Sequence, residues 1–317
     1  MKRARLQPAG QRGAALLLAM VILTLVTTLA AGMVWHQWRA TEVEGAERAR
    51  LQAAWILSGA LDWARLILSE DARTGGPDHL GEPWAVPLAE ARLSTFLAAD
   101  RNSTVDDDGI EAFLSGSIED AQARYNLRQI LLENELVPEQ VVVLQRLCER
   151  AGLPTDLAVK LAGALRDAWS TTSGDAKPVA PRNIDQLAWL GIEPEAIERL
   201  RPWVTLLPAR TTVNINTAPA EVLAAVIEGI DLGTAQRLVE SRQRAPFKSL
   251  AEVTPMLPAN QQQLDERYVD VKTSYFVVRG RLRLGERALE EQSLVRRINR
   301  NVVALQRERV SQYLGSR

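Results

Sequence analysis

Few side chains in this sequence are of the types that carry out chemistry. Its one cysteine, Cys148, cannot form a disulfide within the chain or build a zinc site of several cysteines. Its two histidines, His36 and His79, offer little for histidine-based metal or triad chemistry. The sequence has no nucleophile elbow, HExxH motif or P-loop. We therefore expect no enzyme, and we expect Cys148, which falls on an apolar helical pattern, to be a buried small hydrophobic residue.

Two glycine turns could contact a phosphate with backbone groups alone. Residues 183–200 and 216–238 form a weak repeat in which each copy is helix, glycine turn, helix. Nucleic-acid-binding hairpins of this kind use a Gly-apolar-Gly turn whose N–H groups point at a phosphate. Here the second glycine is replaced by Glu193 in one turn and by Asp231 in the other. The like charge opposes a phosphate at that place.

Basic residues near the second turn nevertheless keep DNA binding open as an alternative. These residues are Arg237, Arg242, Arg244 and Lys248. The whole chain has 38 basic and 39 acidic residues and a net charge of −1, which excludes a basic surface over the whole molecule. We favour a structural or protein-contact role for the hairpins. The alternative function is a membrane-anchored helix-hairpin-helix protein for DNA binding and uptake.

The first residues indicate a membrane anchor. Residues 1–13 contain four basic residues and no acid, and residues 14–34 are an uncharged apolar run. As a helix, this run would span roughly 32 Å, close to the thickness of the hydrocarbon core of a bilayer. By the positive-inside rule the N-terminus stays cytoplasmic and the remainder of the chain is exported. With 46% hydrophobic and 24% charged residues, the rest of the chain is typical of a globular protein.

Three interpretations of this run compete. A buried core helix would need a polar face, which the run lacks. A cleaved secretory signal would fit the small residues at 29–31, although the apolar run exceeds the usual length of about 7–15 residues. The third is a prepilin-like signal, in which cleavage between Gly13 and Ala14 leaves Ala14 as a first residue open to N-methylation. From Trp35 to about Ser69 an amphipathic pattern without proline extends the helix to roughly 55 residues, which favours the third interpretation.

Several segments of the chain resemble the type II secretion minor pseudopilins of the general secretion pathway protein K (GspK) family. They are GAALLLAMVILTLV (13–26), GEPWAVPL (81–88), SGSIEDAQARYNL (115–127), VNINTAPAEVLAAV (213–226), SYFVVRGRL (274–282) and SLVRRI (293–298). The resemblance implies an α+β, pilin-like fold, in which a long N-terminal helix packs on a small antiparallel sheet. It also implies a large inserted all-α domain containing helix-hairpin-helix-like repeats.

The resemblance also implies a place and partners. The chain would be cleaved by prepilin peptidase and anchored once in the Gram-negative inner membrane, with its globular part in the periplasm. After assembly it would lie at the tip of the pseudopilus with other minor pseudopilins. Further partners would be the major pseudopilin, the inner-membrane assembly platform and, at the exposed end, the secretin or secreted substrates; nucleic acid is not expected as a partner.

One position can be argued physically from this resemblance. Most pilin-like proteins carry a glutamate five positions after the cleavage site, where its carboxylate neutralises the N-terminal amine of the preceding subunit within the membrane. Counted from Ala14, that position is Leu18. A subunit without a carboxylate there has no amine ahead of it to neutralise, which is what a first, tip subunit requires. The alternative is an ordinary membrane helix that needs no charge.

The family is also associated with calcium, held by acidic residues before the hairpins. The corresponding stretch here has only two acids, Asp167 and Asp175, whereas Ca²⁺ usually takes about six to eight oxygens. We therefore keep these two residues as candidates and expect no certain cofactor.

The pattern of residue types along the whole sequence also predicts the order of domains. The predicted segments are the leader 1–13, the transmembrane part 14–34, the first part of the pilin-like domain 35–127, the inserted helical domain 128–267 and the C-terminal strands 268–317. In the last segment apolar residues alternate with period two, which predicts strands. We expect its interleaved arginines on the solvent face of the sheet: Arg279, Arg281, Arg283, Arg296 and Arg297.

Overall fold

The structure is a computed structural model that describes residues 12–93, 112–170, 178–258, 264–285 and 287–313. The chain divides into two compact units, Met1–Ile56 and Leu57–Arg317, and each is described by itself. The first unit, where described, consists of helix. The second contains a sheet, the helix residues packed on it and a group of short helices.

Helix α1 spans Arg12–Thr74 without interruption, 63 residues, so the predicted long N-terminal helix is confirmed. The residues that follow Thr74 end the helix. Gly75 and Gly76 both have positive φ, and Pro77 follows, so the chain cannot continue the hydrogen-bonding pattern of the helix. Gly75 N–H still donates to the Asp71 carbonyl oxygen at 3.2 Å and closes the last turn.

The remaining elements follow in chain order. The helices are α2 (Pro138–Arg150), α3 (Asp156–Trp169), α4 (Pro194–Leu200), α5 (Ala220–Val226) and α6 (Leu232–Arg244). The strands are β1 (Leu88–Arg92), β2 (Ala112–Asp120), β3 (Tyr125–Asn126), β4 (Leu131–Leu132), β5 (Glu135–Leu136), β6 (Val204–Thr205), β7 (Val213–Asn214), β8 (Val269–Asp270), β9 (Tyr275–Leu284), β10 (Arg287–Ile298) and β11 (Asn301–Tyr313). Strands β3 to β8 form only two-residue ladders beside the helices.

The main sheet has five antiparallel strands in the order β1-β2-β9-β10-β11. Strands β2 and β9 are neighbours in the sheet but lie more than 150 residues apart in the chain, and the helices α2 to α6 fill the interval. The helical part is therefore an insertion between two central strands of the sheet. The predicted boundaries at 127/128 and 267/268 stay predictions, because the strands themselves end at Asp120 and resume at Tyr275.

The second part of α1 and one face of the sheet share a hydrophobic core. Leu61, Ala64 and Leu68 recur at three- and four-residue spacing on one side of the helix and are buried. They pack with Trp84, Phe276, Val278, Val295 and Val302. Trp84 and Phe276 meet edge to face, with ring centroids 5.2 Å apart. Gly280 allows close approach of the helix, because a Cβ there would lie 3.1 Å from Leu57 Cδ2.

The inserted helices have a separate and larger core, built mainly from leucine, valine, isoleucine and alanine. Cys148 is fully buried within it, which confirms the prediction of a small hydrophobic residue. Burial raises the pKa of the Cys148 thiol to about 11, so the reactive thiolate is disfavoured.

Candidate functional site

The predicted processing site lies at the start of α1. The structure describes the chain from Arg12, so the leader residues 1–11 lie outside the described part. The Gly13–Ala14 bond falls in the first turn of the helix. Cleavage between these residues stays a prediction.

The apolar run that follows has no partner within the chain where the structure describes it. The stretch is long and apolar enough to cross a membrane, and its most apolar window is 0% buried. Leu18, the position where a glutamate is usual, is 63% exposed. The hydroxyl groups within the run are satisfied by the helix itself: Thr24 Oγ1 donates to the Val21 carbonyl at 2.9 Å, and Thr28 Oγ1 to the Thr24 carbonyl at 2.9 Å. A helix whose polar groups are satisfied in this way suits a lipid or helix-packing environment.

The two glycine turns adopt the same local geometry. Gly191 and Gly229 are both left-handed, with φ of 75° and 74°, a conformation that favours glycine. The next residues, Ile192 and Ile230, are 2% and 8% exposed and anchor each turn in the core. The helix-hairpin-helix-like repeat is therefore present as a structural module.

The place that a phosphate would need at the second turn is filled from within the chain. Asp231 caps α6, and its Oδ1 accepts from Thr234 N–H at 2.7 Å. The hydrogen bonds from Thr234 lower the pKa of Asp231, so the carboxylate stays ionised and repels a second anion. At the first turn, Glu193 precedes α4 without a capping hydrogen bond from its side chain.

Two basic residues that could have met a phosphate are also engaged within the chain. Arg242 is 9% exposed and donates from Nη1 to the Ile215 carbonyl, and burial lowers the pKa of its guanidinium to about 10. Arg237 Nη2 donates to Thr234 Oγ1 at 2.8 Å. The geometry of this hairpin therefore favours a packing role over DNA binding.

The calcium candidates do not form a site in the described part of the chain. Asp167 is exposed at the end of α3, and its Oδ1 pairs with Arg166 Nη2 at 3.0 Å. Asp175 lies outside the described residues. One exposed carboxylate that is already paired does not match the several oxygen ligands that Ca²⁺ takes.

A buried carboxylate that sequence reasoning missed joins the insertion to the sheet. Asp120 ends β2, and four donors surround it: Gln122 N–H at 2.7 Å, Thr217 Oγ1 at 2.6 Å, Thr273 Oγ1 at 2.7 Å and Asn214 Nδ2 at 2.9 Å. Burial raises its pKa, while the four donors oppose that effect. The chain leaves the sheet at Asp120 and returns through Thr273, so this one side chain ties both ends of the insertion. Its sequence signal was an acid within a predicted strand.

Arg297 corrects one prediction about the C-terminal strands. The alternation placed it on the solvent face, and Arg281 and Arg296 are indeed exposed. The side chain of Arg297 is instead only 11% exposed and pairs with Asp71 Oδ2 at 2.5 Å and with Asp78. The prediction was wrong because two buried acids from the end of α1 and the following loop supply the charge that makes burial of a guanidinium favourable.

These elements define a class of protein: an α+β, pilin-like subunit in which a long N-terminal helix packs on an antiparallel sheet and a helical domain is inserted between two strands. Two family models described as "Type II secretion system (T2SS), protein K" match residues 123–209 and 213–279. Both matches support the type II secretion system protein K family for this chain.

Relatives and a solved structure agree with this family. The chain is 29% identical to type II secretion system protein K of Pseudomonas aeruginosa, over 88% of this chain and 86% of that protein. It is also 29% identical to the protein of the same name from Pectobacterium carotovorum, over 94% and 96%. In fold it is similar to a chain of the crystal structure of the GspK-GspI-GspJ complex from the enterotoxigenic Escherichia coli type 2 secretion system. That match has a TM-score of 0.63 at 19% identity and covers 84% of this chain and 98% of that chain.

Proposed function

We propose that this minor pseudopilin is a non-enzymatic subunit that forms the tip of the periplasmic pseudopilus and supports protein export across the outer membrane. The observation that carries the proposal is the contrast within α1. Residues 57–74 pack on the chain's own sheet, whereas the apolar residues of the predicted span, 14–34, are exposed. Exposed apolar surface of that extent needs a membrane or neighbouring subunits to cover it.

The anchor gives the proposed topology. Residues 14–34 would cross the Gram-negative inner membrane once, with the basic leader in the cytoplasm and the globular part in the periplasm. Prepilin peptidase would cleave after Gly13, and Ala14 would become the first residue. The apolar helix would then move from the membrane into the pseudopilus without losing its apolar surroundings.

Leu18 supports a place at the tip. In a stacked fibre of such helices, each carboxylate at this position would face the amine of the subunit ahead of it, and an unpaired charge there would be costly. Leu18 has no charge to pair, so the chain is suited to have no subunit ahead of it.

The partners are inferred from the family and from the composition of the similar complex, which contains GspK, GspI and GspJ. We infer that this chain assembles with two other minor pseudopilins and is carried on the major pseudopilin by the inner-membrane assembly platform. The inserted helical domain, distant in sequence from the anchor, would face the secretin or secreted substrates.

A deletion and complementation experiment tests the proposal. Loss of the gene is expected to stop the appearance of type II substrates in the medium and leave them in the periplasm, and the full chain is expected to restore export. A tagged full chain solubilised in detergent is expected to copurify with two smaller minor pseudopilins. Unchanged export in the deletion strain would overturn the proposal. A salt-dependent shift of duplex DNA by the purified chain would favour the uptake alternative instead.

A further inference from the structure

A cluster of charged side chains lies where α1 ends and the next loop begins. Asp71 comes from the last turn of α1, Asp78 and Glu82 from the loop of residues 75–87, and Arg297 from the end of β10. One oxygen from each of the three carboxylates lies within 4.8 Å of the other two. The cluster thus joins the end of α1 and the loop that follows it to β10, which is distant in the chain.

The four groups do not balance in charge. Arg297 donates to Asp71 and to Asp78, so its guanidinium is shared between these two acids. Asp78 also accepts from Thr273 N–H at 2.7 Å. The side chains of Asp71 and Asp78 are only 10% and 4% exposed, so water does little to screen them. With three ionised acids and one arginine, the cluster would carry two uncompensated negative charges.

Within the part of the chain that the structure describes, Glu82 is the carboxylate of this cluster that makes no ion pair. Its Oε2 accepts from His79 N–H at 2.9 Å and from Trp84 Nε1 at 2.7 Å. One oxygen of its carboxyl group also lies within 4.8 Å of an oxygen of the Asp71 carboxyl group. Two carboxylates at that distance repel each other unless one of them holds a proton.

The charged and titratable groups around Glu82 can be named element by element. Asp71 faces it from α1, Asp78 and His79 from its own loop, and Arg297 from β10. His79 Nδ1 accepts from Gly81 N–H at 3.1 Å. Burial, which is the largest cause, and the neighbouring Asp71 raise the pKa of Glu82, the two N–H donors lower it, and the resulting pKa is about 7.

We propose that one proton shared between Glu82 and Asp71 fastens the loop of residues 75–87 to the end of α1, and that its loss loosens this loop. The loop carries Trp84, which is buried against Phe276 in the core under α1. When the proton leaves, the two carboxylates repel across the joint between helix and loop. The attachment of this loop to α1 therefore depends on the proton, and it lies in the pilin-like part of the molecule.

The direction of the pH effect follows from the raised pKa. A carboxyl group with a pKa of about 7 in the folded chain and an ordinary value of 4.5 in the unfolded chain binds its proton more tightly when folded. This contribution to stability is fully present below pH 4.5. It falls as the pH rises and is lost once the pH has passed about 7.

Hydrogen exchange of the full chain in detergent, read by mass spectrometry, tests the proposal. After correction for intrinsic exchange, amides of residues 75–87 are expected to open about tenfold more often at pH 8 than at pH 6. Glu82→Gln keeps an acceptor for His79 and Trp84 and gives a permanent donor to Asp71. This variant is expected to show the low opening of pH 6 at both values.

The matched control is Glu70→Gln, one residue before Asp71, where Glu70 is exposed and pairs with Arg73. It should behave as the wild type. A second variant, Asp71→Asn, removes the repulsion and should weaken the pH dependence without abolishing it, because Glu82 stays buried; the loss of the ion pair with Arg297 should raise opening at both values. Equal opening of the wild-type loop at pH 6 and pH 8, or an unchanged pH dependence in Glu82→Gln, would overturn the proposal.

Discussion

The two ends of α1 belong to one helix but differ in where their partners are. Residues 57–74 bury Leu57, Leu61 and Leu68 on one face against the sheet, and their other face is exposed. Residues 14–34 are apolar all round and exposed. A helix with apolar residues along one face needs a packing partner on that face only, whereas a helix that is apolar all round needs apolar surroundings on every side. This difference shows which part of the function depends on contacts within the chain and which part depends on a membrane or on other subunits.

The inserted domain is like residues 57–74 in this respect. Its backbone groups at the second glycine turn find their partner in Asp231, and its attachment to the sheet is satisfied by Asp120. Substitutions in these regions should therefore change the stability of the fold, while substitutions in residues 14–34 should change location and assembly.

The largest expected effect on stability comes from the buried face of α1. Leu68→Ala removes a fully buried side chain and should lower the free energy of unfolding by about 2–5 kcal/mol, because a cavity forms between helix and sheet. Leu66→Ala, two residues earlier and 66% exposed, should change it by less than about 0.5 kcal/mol. Urea unfolding of the two full-length variants in detergent measures both values. Equal losses would break the contrast between the two faces.

The next effect belongs to the exposed part of the same helix. Leu23→Arg places a charge near the middle of the predicted span and should cost about 2.5–3.5 kcal/mol of membrane insertion. Cell fractionation should show less protein in the membrane, while Leu23→Ile, the matched control, stays membrane-bound. The urea midpoint of the Leu23→Arg chain should equal that of the wild type, because Leu23 has no partner in the fold. A lowered midpoint would contradict the account of this region.

A smaller effect is expected at the hairpins. Asp231→Ala removes the cap of α6 and should lower stability by about 1 kcal/mol. The corresponding residue of the first turn, Glu193, makes no capping hydrogen bond, so Glu193→Ala should change stability by less than about 0.5 kcal/mol. Thermal unfolding compares the two variants directly. If DNA binding appeared on removal of the Asp231 charge but not of Glu193, the hairpin would have kept a latent phosphate site.

The smallest effect on the fold, and a specific one on assembly, is expected at Leu18. Leu18→Glu should leave the unfolding midpoint unchanged, since the side chain is exposed. In a tip subunit the new carboxylate has no amine ahead of it to pair with. Complementation of export by this variant should therefore be no better than by the wild type, and an unpaired carboxylate that is buried should make complementation weaker. Leu18→Gln, which is polar but uncharged, separates the effect of charge from that of polarity. Improved export by the glutamate variant would contradict a place at the tip.

The sequence predicted what depends on periodicity and missed what depends on contacts between distant segments. The three- and four-residue spacing of Leu61, Ala64 and Leu68 identified the buried face of α1 correctly. Arg297 was misplaced, because alternation along a strand contains no information about Asp71 and Asp78, more than 200 residues earlier. Asp120 was missed for the same reason, since its four partners come from three separate segments.

The predictions of the processing position and of the candidate metal residues rest on different kinds of evidence. Gly13 and Ala14 follow from the basic leader and the apolar run, Leu18 follows from the resemblance, and all three stay predictions. Asp167 and Asp175 come from the resemblance; Asp167 is exposed and pairs with Arg166, and Asp175 lies outside the described residues. A list of acids in sequence order does not specify how many oxygens meet at one point in space.

The sequence of the N-terminus of the mature protein, isolated from the cells that make it, tests the central claim most directly. We expect Ala14 to be the first residue and residues 14–34 to be still attached to the globular part. Edman degradation or intact-mass measurement gives the answer in one experiment. A chain that begins near Gly32, with the apolar run removed by a signal peptidase, would contradict it.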